Sequence, residues 1–140
     1  MKTYSHTQKG TAIISAMFIF GVVLVILGFY VAKPLFITAV FLLVVGWLFH
    51  SMTVEIGGGT LSWFFGSGLI SKRVALSEVV SAVPVKNRSA WGVHWSPRLG
   101  WLYNVSGFDA VLVTLRDGSK FALGTDEPSA LIQAILGHVK

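Results

Sequence analysis

Two runs of apolar residues, Thr11 to Ala32 and Pro34 to His50, fill the first third of the chain with no ionisable side chain inside them until His50. A membrane span needs about 20 consecutive apolar residues, each rising about 1.5 Å. The first run has that length, and the second reaches it if Ser51, Met52 and Thr53 complete its last turn. The runs meet at Lys33-Pro34, where proline can open the second helix because its missing N–H would be unpaired there anyway. The pattern predicts a cytoplasmic tail over 1–10 and a transmembrane hairpin over 11–53, with spans at about 11–32 and 34–52.

Past Thr53 the period changes to short alternating runs bounded by turn residues, the mark of strands. They fall at 53–56, 61–65, 70–76, 79–85 (stopped near Pro84), 91–95, 101–105, 110–116 and 120–123. Gly57-Gly58-Gly59, Gly66-Ser67-Gly68 and Ser96-Pro97 separate them, and Asp117-Gly118 between apolar runs is a hairpin signal in its own right. Thr125-Asp126-Glu127-Pro128 then reads as a helix start, and Leu131, Ile132, Ile135 and Leu136 form one helical face ended by Gly137. The expected fold is therefore a two-helix transmembrane hairpin followed, over 54–140, by an α+β, mainly-β barrel. That barrel has about seven strands and one C-terminal helix at about 127–137.

Composition sharpens the picture at three points. The chain is 54% hydrophobic and only 12% charged, and the first fifty residues account for most of that bias. With no cysteine there is no disulfide framework and no thiolate metal site. A signal peptide would need a shorter apolar core and a small-x-small cleavage site, and a second apolar run follows instead. The positive-inside rule sets Lys2, Lys9 and the amino terminus against Lys33 alone, which places both ends in the cytoplasm and the chain in the inner membrane.

Candidate chemistry is sparse. The four histidines stand far apart without a partner at metal-ligand spacing, so no metal and no cofactor are expected. The glycine triplet lacks the Gly-Lys-Ser/Thr of a P-loop and leads into a strand, so it reads as a turn. No nucleophile elbow supports a hydrolase, and no enzyme is expected. Neither span contains an ionisable residue, which argues against transport. Gly21 and Gly28 share a helical face suited to close packing, within the hairpin or against a second copy.

Five bases lie between Lys72 and Arg98 against the single acid Glu78. Lys72, Arg73 and Lys86 are candidate contacts to anionic lipid headgroups, each base near the surface adding about 1 kcal/mol. Arg88, Trp91, His94, Trp95 and Arg98 form a candidate partner-binding surface. The interleaved aromatics Trp91, Trp95, Trp101, Tyr103 and Phe108 read as barrel core, as a membrane or partner surface, or as stacking platforms for single-stranded nucleic acid. The anchor favours the first two, and no nucleic-acid partner is expected.

The order of elements, with Gly100-Trp-Leu-Tyr-Asn-Val-Ser-Gly-Phe-Asp-Ala-Val111, Leu115-Arg-Asp-Gly118 and Phe121-Ala-Leu-Gly-Thr-Asp-Glu-Pro128, resembles the bacterial pleckstrin-homology-like domains of small membrane proteins. The resemblance implies a two-sheet barrel with a C-terminal helix and no enzymatic activity. Where a basic residue would be expected before the turn at Trp95, His94 stands instead, and the triple-glycine turn carries no base for a phosphoinositide. The expected function is a membrane-anchored binding or scaffold module on the cytoplasmic face, contacting a protein partner or the anionic inner leaflet. The alternative is an accessory subunit of a membrane complex, recognised through its hairpin.

Overall fold

The computed structural model describes residues 2–87 and 92–138. Strand β1 (Lys2–Lys9) comes first, followed by helices α1 (Thr11–Tyr30) and α2 (Pro34–Leu48). Strands β2 (Ser51–Gly57), β3 (Thr60–Phe65) and β4 (Ile70–Ala75) lead through a 3-10 turn to β5 (Val79–Lys86). Then come β6 (Gly92–Ser96), β7 (Gly100–Asn104), β8 (Asp109–Leu115), β9 (Lys120–Gly124) and the closing helix α3 (Pro128–Leu136). One sheet has the order β1-β2-β3-β4 and the other β5-β8-β9-β7-β6.

Three expectations are corrected here. Residues 2–9 are not a tail but a strand, antiparallel to β2 with His6 opposite Val54 and Gln8 opposite Met52. The inward positions of that strand are Tyr4, His6 and Gln8, polar side chains with no apolar alternation to betray them. The second apolar helix stops at Leu48, because Ser51, Met52 and Thr53 are taken by the ladder to β1. Finally, β5 runs through Pro84 rather than stopping there: β5 is an edge strand, and a proline on its open side costs no ladder bond. With β1 included, the described residues hold nine strands rather than about seven.

The hairpin is thus inserted into a strand connection. Only Gly10 separates β1 from α1, and Gly10 N–H donates to His50 C=O at 2.8 Å, extending the β1–β2 ladder to the roots of both helices. Gly21 faces Leu43 and Gly28 faces the Phe36 ring, so the small-residue face packs against the partner helix. The remaining faces are bare. Phe18, Ile19, Phe29, Ile37 and Phe41 are exposed, and only 17% of the most apolar stretch of α1 is buried. By length and composition α1 can cross a membrane, while α2 is a shorter apolar helix.

The core lies between the sheets and under α3, around Ile56, Leu61, Val111, Leu123, Leu131 and Ile135. In the second sheet β9 slides between β8 and β7, parallel to β7 with Trp101 opposite Phe121. The short link from β7 to β8 must therefore pass over the end of β9. Asn104, fully buried, ties that link down: its Nδ2 donates to Gly107 C=O at 3.1 Å, and its Oδ1 accepts from Ser106 N–H at 3.2 Å.

The two ends of the chain are clasped. Tyr4 Oη donates to Glu127 at 2.6 Å, and His6 meets Asp126 at 2.6 Å and Glu127 at 3.2 Å. Burial first, then the bond to Glu127 and its charge, hold the Tyr4 proton well above the ordinary phenol value of 10.0. Because the folded value is raised, the stability Tyr4 contributes is complete below that ordinary value and drains away as pH climbs past it. Circular-dichroism melts taken from pH 8 to about 11.5 should show a fall in thermal midpoint above about pH 10 that is smaller in Tyr4→Phe. Parallel curves for the two proteins would remove Tyr4 as the cause.

Candidate functional site: a basic, aromatic groove between two open strand edges

Among the described residues, strand β4 pairs only with β3, and β6 only with β7. Between these two free edges lies a groove of about 440 Å³, within the range of about 300–1,000 Å³ typical of ligand pockets. Its floor is an aromatic stack: Trp63 lies on Phe121 with centroids 4.8 Å apart and meets Tyr103 edge-on at 5.2 Å. Ile70 and Val74 of β4 form one wall, and Val93 and Trp101 of the β6–β7 hairpin the other. Lys72, Arg73 and Lys120 stand at the rim, all exposed.

The local sequence explains this arrangement. Ile70, Lys72 and Val74 share one face of β4, so a base sits on the parity that points inward. An inward-pointing charge on an edge strand is a device that keeps the edge from pairing indiscriminately. In the second sheet, Val93 faces Tyr103 and Trp95 faces Trp101 across the β6–β7 ladder. Tyr103 belongs to the main core while Trp95 and Trp101 are 59% and 50% exposed, so this aromatic face continues past the point where the first sheet ends.

Electrostatically the groove is one-signed. Its lining contains no acid, and among the described residues Lys72, Arg73 and Lys120 form no ion pair. The nearest acid in sequence, Asp117, is turned onto Ser119, whose hydroxyl and amide donate at 2.5 and 2.9 Å and hold its carboxyl below the usual range. One further polar atom is unspent. Trp63 is 2% exposed, and its Nε1 has no acceptor among the described residues.

The residues expected from sequence to form one surface are distributed differently. Lys72 and Arg73 line the groove. Lys86 is exposed and engaged with Asp109, the residue opposite it on β8. His94 projects to the other side of its sheet, facing Leu102 in a separate small cluster with Leu99, Ala110 and Ala122. Both His94 ring nitrogens are buried there without a partner among the described residues. Trp95 is on the groove side, and Arg98 is exposed in the turn beyond it. Arg88 and Trp91 lie outside the described residues.

Trp63, Phe121 and Lys120 are groove residues that sequence reading passed over. For Lys120 no local signal exists, because its role depends on the parallel pairing of β7 with β9. Trp63 had one, since it alternates with Leu61 and Phe65 on the inward face of β3. Comparison with known proteins adds no assignment: no family model, no curated protein and no solved structure matches the chain.

Proposed function

We propose that this chain is a non-enzymatic, membrane-anchored binding module whose hairpin crosses the inner membrane twice and holds a pleckstrin-homology-like barrel at the cytoplasmic face. The observation that carries the proposal is the bare apolar surface of α1 and α2, which leave one end of the β domain without packing back onto its core. Exposed apolar surface of that extent is stable in hydrocarbon and marks an interaction site in water. The order β1 to β4, the antiparallel run β5-β8-β9 and a helix capping the core support the barrel reading, with β6–β7 as an added hairpin.

On this reading the end of the barrel that touches the helix roots would face the membrane. Gly66 N–H donates to Ser51 C=O at 2.9 Å, so close under α2 that a Cβ at Gly66 would lie 2.8 Å from the Leu48 carbonyl, and Gln8 Nε2 donates to Ser106 C=O at 3.0 Å. At this end the turns carry Leu69 and Phe108, 73% and 66% exposed, placed to enter the interface beside the helices. Helix α2, with 15 residues, spans about 22 Å against a hydrocarbon thickness of about 30 Å; local thinning would make up the difference, because Phe49 packs on Phe65 of the β core and the His50 carbonyl accepts from Gly10. An accessory subunit recognised through its hairpin remains the second reading, but its glycine face is already filled by Leu43 and Phe36.

The absence of cysteine makes the topology directly testable. Lys33→Cys in the interhelical turn should react with an impermeant maleimide added to spheroplasts, whereas Ser119→Cys should react only after lysis. The reverse pattern, or a full-length chain that stays in the supernatant after detergent-free ultracentrifugation, would overturn the proposal.

A further inference from the structure

We infer that the groove between β4 and β6 receives an extended acidic segment of a partner protein, which adds to the free edge of β4 and bridges the gap between the two sheets. The inference rests on the binding-module reading above and names the site and the chemistry of what it binds. Three independent features converge on this occupant.

The first is backbone. In the β2–β3 hairpin, Gly57 and Thr60 close a two-residue turn and so bond to each other. Bonding alternates from there, which directs Leu61, Trp63 and Phe65 towards Val74, Lys72 and Ile70 of β4. The N–H and C=O groups of Ser71 and Arg73 consequently point away from the sheet, along the groove. An acyl chain cannot satisfy such groups; another backbone can.

The second is charge. Lys72 points inward and Lys120 borders the groove, with no acid among the described lining residues; Arg73, on the outward parity of the same edge, places a third cation beside it, and none of the three forms an ion pair among the described residues. The third is the aromatic and aliphatic lining of Trp63, Val74, Trp101 and Phe121, which offers pockets to every second side chain of an added strand. The buried Trp63 Nε1, lacking an acceptor among the described residues, gives the same surface a specific donor once the groove adjusts around a ligand. Together these select acidic and apolar residues in alternation.

The test uses the full-length protein in nanodiscs of zwitterionic phosphatidylcholine. Its probes are arrayed peptides of about ten residues in which Asp or Glu alternates with Val, Leu or Phe, set against a matched array carrying Lys in place of the acids. Selective retention of acidic peptides is expected. The best binder should lose at least about tenfold in affinity against the exposed triple variant K72E/R73E/K120E. It should also lose binding when alternate peptide amides are N-methylated, which removes backbone pairing and leaves the charge.

Melting curves would confirm that the triple variant folds. No acidic preference, unchanged affinity for the triple variant, or full binding by the N-methylated peptide would each overturn the inference. So would stronger competition by phosphatidylglycerol vesicles or single-stranded oligonucleotide than by the peptides. Capture of the same native partners by wild type and triple variant would move the binding surface elsewhere while leaving the module reading intact. Failure of the cysteine-labelling pattern would remove the anchor instead.

Discussion

Gly124→Ala should lower the thermal midpoint of the β domain by about 20 °C, one of the two largest effects expected from a small change in this chain. A Cβ at position 124 would lie 2.1 Å from Asn104 Oδ1 and 2.7 Å from its Cγ. Asn104 cannot step aside cheaply, because it is fully buried and holds both Ser106 N–H and Gly107 C=O. Displacing it strands buried polar groups, at about 1–3 kcal/mol each, on top of an overpacking cost of about 1–3 kcal/mol. A loss of about 1 kcal/mol lowers the midpoint of a domain this size by about 4–8 °C. The check is a double-mutant cycle followed by circular dichroism. Asn104→Ala alone should destabilise, and adding Gly124→Ala to it should cost almost nothing further; simple additivity would show that the two residues do not compete for the same space.

Deleting residues 2–8 should abolish cooperative unfolding of the β domain, although nothing in those residues looks like core. Without them β2 loses one of its two partner strands and becomes an edge, and Met52, Val54 and Ile56 lose the cover of Gln8, His6 and Tyr4 opposite them. Helix α3 loses its polar clasp at the same time, since Tyr4 and His6 hold Glu127 and Asp126. Limited proteolysis and near-ultraviolet circular dichroism would reveal the change. A truncated chain that melts like the full-length protein would return these residues to the status of a tail.

The contrast between that segment and the rest shows what local pattern can reveal. Residues 60–65 announce themselves through alternation, and Asp117-Gly118 marks the β8–β9 turn, which closes through Gly118 N–H to Leu115 C=O at 3.0 Å. Helix α3 is legible because Leu131 and Ile135 keep helical spacing and both end up fully buried. Strand β1 is not, because its inward positions are satisfied by distant carboxylates and a carbonyl rather than by apolar contact. Pairing partners are equally silent: the parallel β7–β9 contact, which brings Lys120 beside Trp101, depends on a crossing held by Asn104 and not on any local signal. For that reason Lys72 and Arg73 were visible one by one, while Lys120 and the groove that all three border were not.

The insertion of the helices into the β1–β2 connection also governs how the barrel can move. A domain hung on one linker swivels about it, but this one is fastened at two points on neighbouring antiparallel strands, whose backbones run about 4.8 Å apart. With a single glycine at one joint and a hydrogen bond from Gly10 to His50 across the pair, rotation of the β domain about the helix axes would have to turn both helices together. On the anchoring proposed above, such a mount would fix the height and the heading of the domain together, and would hold the groove between β4 and β6 at one orientation to the bilayer.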